Sequence, residues 1–287
     1  MKFTLASFRA WPRKKVTLLG MSGVGKTWLA SLLRQHDWFH YSADYRIGKR
    51  YLDEPILDLV KQEAMSVPLL RALLRRDWID ISNNIKVDDL GPVLSFVGKP
   101  GDPGRGGLTL AEFSRRQALY RKAEIAAMQD VPAFIQKAWE VYGYSHFVND
   151  VGGSLCELEA PGVIELLAEH TLMLYIQVTT PEEEALLIQR AQSDPKPLYY
   201  RPAFLAEELP RYRAARGLPD TPERLDADPD DFTRWIFPRL FHSRVPRYEA
   251  IAKPHGYTVT AREVSQIRDE GDFLALLETA IERAEAR

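Results

Sequence analysis

A single cysteine, Cys156, in 287 residues leaves no partner for an internal disulfide and no thiolate set for a zinc cluster. Such usage suits a reducing cytosol, so a cytoplasmic location is the expectation, and Cys156 reads as a small buried residue. Long apolar runs are missing as well. The longest uncharged apolar stretch, 171–181, falls far short of the ~20 residues that a membrane-spanning helix requires and reads as a buried strand. The opening MKFTLASFRAWPRKK is broken by Arg9 and has no small-residue cleavage pattern, so no secretory signal is expected. Nor is there an excess of one charge. Thirty-eight Lys plus Arg against forty Asp plus Glu give a net charge of −2, which supplies no overall field for an extended nucleic acid or an anionic membrane and leaves only a local basic site open. His36, His40, His146, His170, His242 and His255 show no metal-ligand spacing, which argues against structural zinc. No Asn-Lys-x-Asp sequence is present to read guanine, which disfavours a Ras-type GTPase.

What remains is an ordinary folded composition. With 45% hydrophobic and 27% charged residues, wholly disordered and low-complexity readings drop out. The length suits one large domain or two small ones. Short β-rich apolar runs at Val16–Gly20, Phe39–Ala43, His146–Val151, Thr171–Val178 and Tyr257–Thr260 alternate with helical patterns. That alternation predicts a parallel sheet covered on both faces. At Thr180-Pro181-Glu182-Glu183 a capping hydroxyl, a proline at the first helical position and a glutamate three residues after the cap mark a helix start, with the helix expected to run to about Arg190. Residues 55–78 read as an amphipathic helix interrupted at Pro68. The glycine- and proline-rich 98–107 reads as a mobile surface loop. The aromatic segment Phe232–Phe241 reads as a helix face packed on the core, with lining of a substrate cavity as the alternative.

One motif carries chemistry. Gly20-Met21-Ser22-Gly23-Val24-Gly25-Lys26-Thr27 matches GxxxxGK[ST], the phosphate-binding P-loop, a match expected by chance at roughly 1% over the windows of such a chain. The glycines let backbone N–H groups turn toward phosphate, and the helix that follows adds its positive dipole end. Gly20, Ser22, Gly23, Val24, Gly25, Lys26, Thr27 and Trp28 are therefore the expected nucleotide contacts, with Lys26 on the β and γ phosphates and Thr27 on Mg²⁺. A P-loop alone does not distinguish a kinase from a motor or a switch. Asp44 and Asp150 close the second and third strands, which in a parallel sheet brings both to the P-loop edge as metal ligands or general base. The structural alternatives are a helix-capping Asp44 and a turn aspartate at 150.

Several short motifs in order resemble the shikimate-kinase-like branch of the P-loop small-molecule kinases. Where that family ends its second strand in Asp-x-Asp, this chain has Ser42-Ala43-Asp44, keeping the second carboxylate alone. Tyr120-Arg121-Lys122-Ala123-Glu124 is similar to the family's Phe-Arg-x-x-Glu, and Val151-Gly152-Gly153 to its glycine triplet with one glycine lost. Arg190 followed by Lys196-Pro197-Leu198 resembles the nucleotide-closing lid. Arg244-Val245-Pro246-Arg247-Tyr248 resembles the late Arg-x-Pro-x-Tyr. The resemblance implies a single P-loop domain over 1–287, a three-layer α/β/α sandwich with a five-stranded parallel sheet in the order 2-3-1-4-5, and mostly helical insertions at about 53–115 and 199–238. It implies ATP and Mg²⁺, with Thr27 and Asp150 in the metal shell, Lys26, Asp44 and Lys196 in catalysis, and Arg190 on the nucleotide. Asp44, Arg121, Gly152, Gly153 and Arg244 are the implied contacts to a small, anionic acceptor that carries a hydroxyl. A regulatory ATPase acting on a protein partner is the alternative, and a kinase acting on a terminal nucleotide is a weaker third reading.

Overall fold

The computed structural model describes residues 2–221 and 224–286. Met1 and Arg287, the ends of the expected single domain, lie outside the described residues, as do Pro222 and Glu223 of the expected second insertion.

Five strands, β1 (Lys15–Leu19), β2 (Trp38–Ser42), β3 (His146–Asp150), β4 (Leu172–Gln177) and β5 (Gly256–Thr260), form one sheet in the order β2-β3-β1-β4-β5. Every pairing is parallel, with Val16 opposite both Val148 and Leu172. The apolar runs are continuous because both faces are covered: Val16, Leu18, Leu19, Leu172, Met173 and Leu174 are fully buried, as parallel central strands require. Strand boundaries differ from the sequence expectation by about one residue.

The helices are α1 (Leu5–Ala10), α2 (Lys26–Leu33), α3 (Ala43–Arg46), α4 (Asp53–Ala64), α5 (Pro68–Leu74), α6 (Gly91–Val97), α7 (Leu110–Gln129), α8 (Val131–Glu140), α9 (Pro161–His170), α10 (Pro181–Ser193), α11 (Pro202–Arg216), α12 (Pro229–His255), α13 (Ala261–Val264) and α14 (Glu270–Glu285). A π-helical turn, Ile47–Leu52, joins α3 to α4. Alternation along β2 places the layers. Phe39 and Tyr41 meet Phe134 of α8 at ring centroids of 6.3 and 5.0 Å, whereas Trp38 packs edge-on against Phe273 of α14 at 5.6 Å. This is a three-layer α/β/α sandwich. No helix among the described residues is long and apolar enough to cross a membrane.

The start at Thr180 forms as its chemistry directs: the Thr180 hydroxyl accepts from Glu183 N at 3.2 Å, and Glu183 Oε2 accepts from Thr179 N. The helix continues to Ser193, three residues beyond the expected end. The break at Pro68 separates α4 from α5.

One region departs from expectation. The 98–107 loop is held at its base rather than free. Asp102 N donates to Ala227 O at 2.9 Å, and Gly101 N and Leu108 N pair with Leu108 O and Lys99 O. Its glycines allow close approach more than flexibility, since a Cβ on Gly107 would sit 2.5 Å from Gly101 C. Pro100, Gly101 and Gly107 are buried, and 103–106 alone are exposed.

The helix face expected over Phe232–Phe241 forms as part of α12, which runs 27 residues through Pro238, Pro246 and Pro254. Pro238 cannot donate to Arg234 O. That carbonyl instead accepts from Gln192 Nε2 of α10 at 3.3 Å, while Arg234 Nε donates to Gln192 O. Along α12, Phe232, Ile236 and Leu240 join Leu110, Phe113, Tyr200, Phe204 and Tyr212 in a second hydrophobic cluster, while Phe237 and Phe241 belong to the main core. Phe237 also lines a cavity beside the P-loop, so at that one residue core packing and cavity lining coincide.

Candidate active site

The turn after β1 is shaped by glycine where nothing else fits. Gly20 has φ +142°, and a Cβ there would lie 2.7 Å from Ile176 O of β4. Gly23 and Gly25 take φ +88° and +98°, conformations costly for any residue with a Cβ. Gly25 caps α2 with no side chain on the helix N–H groups, leaving them available to an anion. Lys26 is buried, and its Nζ donates to Gly20 O and Met21 O at 3.0 Å each. Burial lowers the Lys26 pKa, opposed by the nearby Asp150 and Asp44 carboxylates. The fold is a P-loop fold.

Asp44 enters from the first turn of α3. The Ser42 hydroxyl caps that helix, accepting from Tyr45 N at 3.4 Å, so the Asp44 carboxylate is not spent on capping. Burial, and next the charge of Asp150, push Asp44 up to about 6, against Lys26 and the Tyr120 hydroxyl, which donates to Oδ1 at 3.4 Å. Lys26, Thr27 and Asp44 line one cavity of about 270 Å³ with Ser22, Gly23, Gly25, Trp28, Val151, Gly152 and Gly153. Both glycines of the pair are close-approach positions. A Cβ on Gly152 would fall 2.8 Å from Asp44 Oδ1, and one on Gly153 3.2 Å from Ser22 N.

Other expected residues are placed differently. Asp150 is buried at the end of β3 but does not line that cavity, and its Oδ2 lies 3.7 Å from His40 Nε2. Arg121 directs Nε and Nη2 at Leu158 O. Arg244, 3% exposed and so no solvated surface residue, donates to Gly153 O at 2.8 Å and Tyr199 O at 2.7 Å. Arg190 lines two further cavities beside the P-loop, of about 430 and 340 Å³. The larger holds Trp28, Val178, Leu186, Leu187, Arg262 and Val264. Lys196 lines the smaller and lies 3.4 Å from Asp194.

Glu124, the last residue of the Tyr120–Glu124 motif, was given no role in the sequence reading. It stands one helical turn after Tyr120 on α7, a four-residue spacing that puts both on one face. Ser154 Oγ donates to Glu124 Oε2 at 2.7 Å, while Oε1 is buried without a hydrogen-bond partner. Burial pushes Glu124 up to about 8, assisted by Asp44 and opposed by the Ser154 hydrogen bond. Glu157 was also missed, and no local pattern announced it. It is fully buried, with Arg201, Arg247 and Arg244 Nε atoms at 3.5, 3.8 and 3.9 Å.

The raised Glu124 pKa has a measurable sign. The native state holds this proton more tightly than the unfolded chain, so the stabilising contribution is complete below about pH 4.5 and is lost as pH rises toward about 8. Between those limits Glu124→Gln should gain stability relative to the parent at about 1.4 kcal/mol per pH unit, read by urea unfolding at several pH values. A flat difference would contradict a protonated Glu124.

No protein-family model matches the chain, and no curated protein matches it. Among solved structures, it is similar to a shikimate kinase from Bacteroides thetaiotaomicron, at 14% identity over 95% of this chain and 97% of that one, with a TM-score of 0.41. It is also similar to a shikimate kinase from Acinetobacter baumannii in complex with shikimate, at 13% identity over 83% of this chain and 99% of that one, with a TM-score of 0.34.

Proposed function

We propose that this protein is an ATP-dependent kinase that transfers the γ-phosphoryl group to a hydroxyl of a small anionic molecule. The observation that carries the reading is the shared cavity, which a P-loop lysine and threonine, Asp44 and the glycine pair line together. ATP fits the residues present: three glycines in positive φ, a helix N-terminus without a side-chain cap and a buried lysine make an anion cradle. For Mg²⁺, no cluster of three or more His, Cys, Asp or Glu among the described residues could hold a metal ion by itself. Thr27 and Asp150 are the residues that would hold Mg²⁺ together with the nucleotide, and the metal would supply neutralisation of phosphate charge.

The chain's own groups do the rest. Lys26 exchanges the carbonyls of Gly20 and Met21 for phosphate oxygens. Asp44 Oδ1, ionised above about pH 6, orients the acceptor hydroxyl and takes its proton. Gly152 and Gly153 let the acceptor approach the backbone, and Arg190 covers the nucleotide, joined by Lys196. Arg121 reaches an acceptor carboxylate by leaving the carbonyl of Leu158, while Arg244 stays on Gly153 O and Tyr199 O and fixes the glycine turn that the acceptor meets.

One observation favours a second reading, a regulatory ATPase whose nucleotide state controls a protein partner. Apart from Lys26, no basic residue lines the Asp44 cavity. The two readings separate in one assay: ATP consumption with Mg²⁺, alone and with pooled polar metabolites, followed by mass spectrometry. The kinase predicts slow turnover alone, strong stimulation by the right metabolite and a product heavier by one phosphoryl group. Rapid acceptor-free hydrolysis to inorganic phosphate, unaffected by Asp44→Asn, would remove it in favour of the regulator.

A further inference from the structure

The helix that departs most from the packing rules of the rest of the molecule is α5. It contains Leu69, Leu70, Leu73 and Leu74, yet none of its residues is buried, and none of the four leucines joins either hydrophobic cluster. Leu69 is exposed, and Leu70, Leu73 and Leu74 are only partly covered, although a seven-residue helix depends on packing to be stable in water. At about 100° per residue the four leucines occupy one arc of roughly 140°, with Arg71 outside it. Exposed apolar side chains continue on both sides: Val60, Met65 and Val67 before it, and Trp78 after it at 66% exposure.

The charge on this patch is mostly of one sign. From Ala64 to Trp78 the chain carries Arg71, Arg75 and Arg76 against Asp77 alone, although the protein as a whole is slightly acidic. All three arginines are exposed. The Arg76 guanidinium lies over the Trp78 ring at 4.8 Å, which sets a cation and an amphipathic aromatic side by side. Leucines on one arc, arginines around it and a tryptophan at the margin are what a helix lying in a lipid interface presents.

We propose that the segment 64–78 docks on the surface of a bilayer that contains anionic phospholipid, with the exposed Met65, Val67, Leu69 and Trp78 entering the acyl boundary and the arginines meeting headgroup phosphates. A protein groove would be served by the apolar side chains alone and gives no reason for three arginines against one aspartate around them, whereas an anionic surface uses both. The contact is peripheral, since α5 is far too short to span. It is independent of the kinase reading, because neither the P-loop nor Asp44 takes part.

The test uses the full chain and two vesicle preparations, phosphatidylcholine alone and phosphatidylcholine with phosphatidylglycerol at two to one, sedimented at low salt. Binding to the second preparation and not the first is expected. It should weaken about fivefold for each of Arg71→Ala, Arg75→Ala and Arg76→Ala, weaken also for Leu69→Ser, and stay unchanged for Val141→Ser, an exposed apolar residue outside the patch. Because all five positions are exposed, each variant should keep the parent unfolding midpoint. Equal binding to both preparations, no binding to either, or anionic binding that survives loss of all three arginines would overturn the proposal. A dimer in lipid-free sedimentation equilibrium that Leu69→Ser abolishes would overturn it in favour of a second copy of the chain on this face.

Discussion

Lys26→Met should reduce acceptor-dependent ATP turnover by about 10²–10³-fold while leaving the apo fold in place. The two parts of this expectation have different origins. In the nucleotide-free protein, Nζ already has two backbone carbonyl partners, so the lysine is poised rather than searching. Exchange of those carbonyls for phosphate oxygens places a cation where charge accumulates during transfer, and methionine keeps the side-chain length but not the charge. For the apo fold, the relief of removing a buried cation is offset by the loss of its attraction to Asp44 and Asp150, so the unfolding midpoint should stay near the parent value. The ligand response should not. Saturation at about a hundred times Kd contributes about 2.7 kcal/mol, roughly 5–10 °C for a domain of this size, and the variant should lose most of it in a thermal shift with ATP and Mg²⁺. An ATP-induced shift of parent size would contradict the placement of Lys26 on phosphate.

Arg244→Leu should be the most destabilising single change near the site, at about 3–5 kcal/mol, or roughly 6–20 °C in midpoint. Its guanidinium joins the glycine turn to the stretch before α11 by donating to Gly153 O and Tyr199 O. Leucine leaves both carbonyls without that partner and takes one of three guanidinium groups away from the buried Glu157. Arg244→Lys should recover only a minority of the loss, since one ammonium cannot reproduce a planar fork aimed at two separate carbonyls. Glu157→Gln combined with Arg244→Leu should cost less than the sum of the single changes, because the two groups are neighbours. A calorimetric midpoint for Arg244→Leu within about two degrees of the parent would show that these hydrogen bonds do not hold the two segments together.

The parts of this molecule that were legible in the sequence are those whose signal is local. Leu18 and Leu19, and Leu172 through Ile176, announce buried strands because a parallel strand covered on both faces has no reason to alternate. The Thr180, Pro181 and Glu183 spacing names a helix start through hydrogen bonds that span three residues. The P-loop is legible for the same reason, since its glycines answer to their own φ angles and to Ile176 O directly opposite. Interactions between distant segments were not legible. The helix through Pro238 was legible, but not that Gln192, 46 positions earlier in the chain, takes the carbonyl the proline frees. The 98–107 loop looks free until Ala227 O fixes Asp102 N. The site divides along the same line. Asp44 and the glycine pair could be read from strand ends, whereas the engagement of Arg121 and Arg244 with carbonyls, and the gathering of three arginines around Glu157, arise from segments brought together only by folding.

The position of β1 at the middle of the sheet also bears on how the chain is made. Both of its neighbours are encoded more than a hundred residues later, with Val16 lying opposite Val148 and Leu172. At about 5–20 residues per second, a ribosome needs on the order of ten seconds to deliver them. Through that interval the nascent protein holds an apolar strand with two bare edges, attached to a P-loop that has no floor. Slower translation between β2 and β3 should therefore lengthen the time that this apolar strand stays uncovered.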